Sequence, residues 1–133
     1  MYENKPKIFD SFCWHYDEVK VLPHNSKILS YNHKSSVQAL SFVKGSSDIW
    51  AVQYHPEFDA KWISGLMKQR KKLLLKENIY KSSDDFDKIF FYLSDIKKFD
   101  YLKKILSISE TLIEEKIHTL ELSNWLKYLT SDS

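Results

Sequence analysis

The chain has 133 residues, 43% of them hydrophobic, 15% aromatic and 29% charged, with a formal net charge of +2. That length suits one domain with a real core, and the apolar content excludes a disordered chain. The small charge excludes an electrostatic case for nucleic acid or an anionic membrane surface, the single Cys13 excludes an internal disulfide, and no apolar run approaches the roughly 18 residues of a membrane span. Met1 to Asp10 mixes charges with Pro6 and has no apolar core segment, so it does not read as a secretory signal, and the expected location is cytoplasmic.

In chain order, Ile8 to Trp14 is aromatic-rich and strand-like, and Val19 to Leu22 follows before a turn at Pro23 to Ser26. Strands are predicted at Lys27 to Tyr31, Val37 to Val43 and Ile49 to Tyr54. Gly45 lies in the polar stretch between the last two, which predicts an antiparallel hairpin. After Pro56 the pattern changes to helical spacing, with Phe58, Trp62, Ile63, Leu66, Met67, Leu73 and Leu74 recurring three and four apart. Further helices are expected at Asp84 to Leu93, Lys97 to Leu106 and about Glu110 to Leu129. Ser82 to Asp85 supply caps for the first of these, and Ser94 with Asp95 for the second. Strands first and helices after indicate an α/β layer structure, and no alternating strands and helices precede Ile8.

The segment that carries chemistry is Ala51-Val52-Gln53-Tyr54-His55-Pro56-Glu57-Phe58. An apolar strand delivers an imidazole at its carboxyl end, where open α/β sheets build their sites. Extended geometry sends the side chains of residues i and i+2 the same way, and Pro56 stiffens the step between His55 and Glu57. A carboxylate beside a histidine holds one tautomer and stabilises the imidazolium, which is the second half of a nucleophile–histidine–acid triad.

Upstream lie His15, Asp17, Val19, Leu22 and Pro23, then Ile28 to Ser30 and Gln38-Ala39-Leu40; far downstream stand Glu121, Asn124, Trp125 and Leu126. This order resembles the class I glutamine amidotransferases, particularly the proteins similar to the amidotransferase domain of GMP synthase. Their second half runs His-x-Asp-x-Val-x-x-Leu-Pro, a Gln-Ala strand, Gln-Phe/Tyr-His-Pro-Glu and a Glu-x-x-Asn-Trp-Leu tail. The resemblance spans about Phe9 to Leu129. It implies the C-terminal half of a flavodoxin-like amidotransferase domain: residues 1–78 as the back half of that domain, and 79–133 as a helical extension packed on it. It also implies hydrolysis of glutamine to glutamate and ammonia by a Cys–His–Glu triad, without cofactor or metal. His55 would be the general base and acid, Glu57 its orienting partner, and Cys13, Trp14, His15 and Tyr16 the lining of the glutamine pocket. The implied partner is an N-terminal half or a subunit that uses the ammonia.

The family's nucleophile sits in a Gly-x-Cys-x-Gly turn, where glycines permit a sharp strand-to-helix corner. This sequence has only Gly45 and Gly65, neither near Cys13, whose bulky neighbours Phe12 and Trp14 predict a buried, packed thiol. The chain therefore reads as a truncated or split product, inefficient as a glutaminase alone. A γ-glutamyl peptidase-like hydrolase and a non-catalytic binding subunit stand as rivals.

Other features take plainer readings. His15, His24, His33 and His55 are too widely spaced for a metal motif. His15 with Asp17 reads either as a polar strand edge or as part of the pocket. Asp17 and Glu18 with Lys20 suggest a surface ion pair, and Lys68 to Lys72 a solvated helix face. Ile113, Ile117, Leu120, Trp125 and Leu129 form a stripe expected to pack on the chain's own sheet, with docking on a partner as the other reading.

Overall fold

A computed structural model describes residues 1–131. It is a mixed α/β structure with small sheets and five helices. Strands β1 (Phe12–Cys13) and β5 (Tyr54–His55) form one antiparallel pair, and β2 (Lys27–Ser30), β3 (Ala39–Lys44) and β4 (Ser47–Val52) form an antiparallel sheet in the order β2-β3-β4. Every pairing among the described strands is antiparallel.

The predicted hairpin is β3–β4, in register from Ala39 opposite Val52 to Lys44 opposite Ser47. Its turn is the two residues Gly45 and Ser46, and Gly45 has φ +61°. A left-handed first turn residue matches the twist of the flanking strands, and glycine adopts it without a Cβ clash. The strand expected from Ile8 to Trp14 shrinks to two residues, and Val19 to Leu22 forms no strand. Asp10 has other partners: its backbone N–H donates to Thr111 Oγ1 (2.8 Å), and its carboxylate accepts from the Ser109 N–H (2.7 Å).

Helix α1 (Ala60–Lys76) starts where the Asp59 side chain accepts from the Trp62 N–H. It ends at Asn78, whose φ of +54° lets the N–H of Ile79 reach the carbonyl of Leu74 and its own N–H reach that of Leu75. That is the paired bonding that satisfies carbonyls at a helix end. Helix α2 (Ser83–Leu93) is capped by Ser82 as the sequence predicts, with Asp84 and Asp85 in its first turn. Helix α3 (Ile96–Leu106) follows. The three helices enclose the main core of Phe58, Ile63, Met67, Leu74, Phe86, Leu93, Phe99, Leu102 and Leu112, against which Phe12 and Trp14 pack.

The long helix expected from about Glu110 to Leu129 is broken. A 3-10 turn (Glu110–Leu112), α4 (Glu115–His118) and α5 (Leu120–Ser131) take its place, and Glu114 is extended at ψ 107°. Its apolar stripe is also redistributed. Trp125 and Leu129 are about half exposed, whereas His118, Glu121 and Asn124 are buried. These polar residues, three apart, share one face of the helix path. That face closes on the N-terminal segment, where Asn124 Nδ2 donates to the carbonyls of Met1 (2.8 Å) and Glu3 (2.9 Å). No described helix is long and apolar enough to cross a membrane.

Candidate functional site

The His-Pro-Glu segment leaves β5 as a tight turn. The Phe58 N–H donates to the His55 carbonyl (3.2 Å), and His55 Nδ1 lies 2.8 Å from Glu57 Oε1. The His55 ring stacks on Phe58 with centroids 4.0 Å apart and planes within 6°, and Phe58 stacks in turn on Trp62. Two contacts thus fix the imidazole: a carboxylate on one nitrogen and an aromatic ring stacked on its face. With Nδ1–H donated to Glu57, the Nε2 lone pair is the basic atom. Among the described residues nothing bonds Nε2, and the side chain is 31% exposed, enough for a reacting group to approach.

Cys13 cannot serve that base. It lies opposite Tyr54 in the β1–β5 pair, whereas Phe12 lies opposite His55. Successive strand residues face opposite sides, so the thiol and the imidazole are on different faces of the ribbon. Burial also pushes the Cys13 thiol above its ordinary value, the reverse of an activated thiolate. The residue is nonetheless exposed rather than packed in the core, correcting the expectation drawn from its bulky neighbours. Its thiol donates to Gln38 Oε1 at 3.4 Å.

The remaining expected pocket residues divide. Trp14 packs against the helical core, whereas Tyr16 projects outward at 71% exposure. His15 is exposed yet doubly tied: Nδ1 lies 2.7 Å from the Asp17 carbonyl and Nε2 3.3 Å from Gln38 Nε2. A carbonyl only accepts and an amide nitrogen only donates, so these partners select the neutral Nδ1–H tautomer. Gln53 Nε2 donates to the same Asp17 carbonyl (3.1 Å), and the Gln53 N–H to the Gln38 carbonyl (2.8 Å). The spaced motifs of the sequence are therefore one hydrogen-bonded cluster tying the loop after β1 to the residues that immediately precede β3 and β5. Cys13, Trp14, His15 and Tyr16 together edge a groove of about 360 Å³ whose far wall is apolar, including Ile63, Met67 and Leu102.

Glu18 pairs with Lys20 at the surface, and Lys71 from the basic run pairs with Asp87 at 2.6 Å, while Lys68, Arg70 and Lys72 are exposed. His24 and His33 are exposed, and the described residues contain no cluster of ligands able to hold a metal ion.

A second polar cluster was not anticipated as such. Lys5 and Glu121 form an ion pair (2.5 Å) with side chains 2% and 3% exposed, and the Tyr54 hydroxyl donates to the same Glu121 oxygen. Tyr2 Oη lies 2.8 Å from Tyr54 Oη and 3.1 Å from Ser30 Oγ, and Lys5 Nζ sits 4.4 Å above the Phe9 ring. Desolvation raises Tyr54 and Tyr2 above the ordinary tyrosine value and lowers Lys5 below the ordinary lysine value despite its carboxylate partner. The tail motif signalled Glu121, but nothing in the charged, irregular first ten residues signalled Lys5 or Tyr2.

A family model described as glutamine amidotransferase class-I matches residues 1–69. The chain belongs to the class I glutamine amidotransferase family. A gamma-glutamyl-L-1-hydroxyisopropylamide hydrolase from Pseudomonas sp is 27% identical over 137 aligned positions, covering 97% of this chain. This chain spans 44% of the length of that relative. No solved structure matches it.

Proposed function

We propose that this chain supplies the histidine–glutamate half of a Cys–His–Glu triad that cleaves the γ-amide of glutamine, with a nucleophile from outside these 133 residues. The observation that carries the reading is the His55 Nδ1–Glu57 Oε1 contact of 2.8 Å, which leaves Nε2 unbonded and approachable. In that role Nε2 takes the proton of the attacking thiol and returns it to the leaving ammonia, and Glu57 stabilises the imidazolium formed between the two steps. Cys13, Trp14, His15 and Tyr16 edge a groove that neither His55 nor Glu57 lines, so their place in a substrate site rests on the family resemblance alone. The complete unit comprises this C-terminal half and a half bearing the Gly-x-Cys-x-Gly turn, and an acceptor-using partner consumes the ammonia.

A second reading, hydrolysis of a γ-glutamyl amide other than glutamine, is favoured by the name of the Pseudomonas relative. Both reactions attack the same γ-carbonyl and differ only in the leaving amine.

The test compares the 133-residue chain with a longer chain joined to whatever coding sequence precedes Met1. Release of ammonia from glutamine and of alkylamine from a γ-glutamyl alkylamide are followed in parallel. We expect turnover only in a longer chain that carries a nucleophile turn, and a loss of at least about 100-fold in its His55→Ala variant, the scale of general acid–base catalysis. Turnover by the 133 residues alone, or turnover indifferent to His55→Ala, sinks the proposal. Preference for the alkylamide selects the second reading.

A further inference from the structure

Strand β5 is two residues long, and its ladder is two residue pairs with β1, so backbone bonding alone holds its roll loosely. What fixes it is side chains gripped on both faces. On one face the buried Tyr54 hydroxyl donates to Glu121, itself held by Lys5, and the Tyr54 ring meets Phe9 edge-on at 5.6 Å. On the other face His55 rests on Phe58. Adjacent strand residues share a rigid backbone and point opposite ways, so holding the Tyr54 phenol sets the direction in which His55 leaves the strand. Glu121 is well placed for this task, because Asn124 on the same helix face is bound to the carbonyls of Met1 and Glu3 and keeps α5 seated.

We propose that Glu121 is a positioning residue for His55, acting through the Tyr54 hydroxyl. The Glu-x-x-Asn segment of α5 grips one face of β5 so that the other presents His55 to Glu57. This rests on the reading of His55 and Glu57 as a working pair. It gives a function to a tail motif that touches neither residue.

The test is nitrogen NMR of the His55 imidazole in the full 133-residue chain, which reads which ring nitrogen carries the proton. The native chain should show the Nδ1–H tautomer enforced by Glu57. Glu121→Ala and Tyr54→Phe should each lose it, giving the averaged nitrogen shifts of a loosely held imidazole. Glu121→Gln keeps an oxygen to accept from Tyr54 and should retain the Nδ1–H form. A merely structural role would lower the melting temperature without changing the tautomer, and that result in Tyr54→Phe overturns the proposal even if Glu121→Ala fails to fold. Glu57→Ala separates the two ideas: if the native tautomer survives it, the His55–Glu57 pairing fails as the cause, whatever the Glu121 variants do.

Discussion

The Lys5–Glu121 pair offers a direct test of how the tail is fastened. Both side chains are almost wholly removed from water and their charged atoms are 2.5 Å apart. Glu121→Gln preserves shape and the acceptor for Tyr54, but leaves the Lys5 ammonium with the carbonyls of Ile117 (3.4 Å) and His118 (3.5 Å) and the face of Phe9. Removing one partner of a buried pair costs about 3–5 kcal/mol, because an uncompensated charge stays buried. At about 0.05–0.15 kcal/mol per residue, a chain of this length has roughly 7–20 kcal/mol of stability, so the loss is a large fraction of the total. At about 3–5 °C per kcal/mol for this size, the melting temperature should fall by about 10–25 °C. Lys5→Met with Glu121→Gln removes both charges and keeps most of the volume, so the double variant should lie within about 2 kcal/mol of the native chain. Urea unfolding followed by circular dichroism at pH 7 measures the native chain, Lys5→Met, Glu121→Gln and the double variant. Single substitutions costing less than about 1 kcal/mol would place the pair among exposed ion pairs. Additive costs in the double variant would mean the two groups are not coupled. Either result refutes the account of α5 given above.

Two other outcomes are expected. The folded Tyr54 phenol is held above its ordinary value of 10.0, so above that pH the unfolded chain ionises first, binds fewer protons than the native one, and gains relative stability. Native stability should then fall by up to about 1.4 kcal/mol per pH unit through this group, and melts at pH 9 to 11 should show a shallower decline in Tyr54→Phe. At the hairpin turn, a Cβ on Gly45 meets nothing within 4 Å, so Gly45→Ala pays only for its φ of +61°. That is about 1–2 kcal/mol by thermal melt, with Gly45→Asn recovering part because asparagine tolerates the left-handed region.

What the sequence by itself determined is local. Gly45 between two β-rich runs sufficed for the β3–β4 hairpin, Ser82 with its acidic neighbours for the start of α2, and His-Pro-Glu for the pairing of His55 with Glu57, although their 2.8 Å contact is made across the turn that follows β5 and not along extended chain. Family motifs were legible for the same reason that they recur in order, although the pattern could not say that His15, Asp17, Gln38 and Gln53 meet. Long-range packing decided the rest. An amphipathic pattern predicted one helix from Glu110 to Leu129, but Asp10, 99 residues from Ser109 in sequence, holds the start of that segment, and the segment breaks at Glu114. The helical stripe predicted Trp125 and Leu129 inside; instead α5 turns Glu121 and Asn124 inward, because the N-terminal segment offers an ammonium and two open carbonyls. A periodicity rule reads polar residues as outward, and only a partner over a hundred positions away makes their burial favourable.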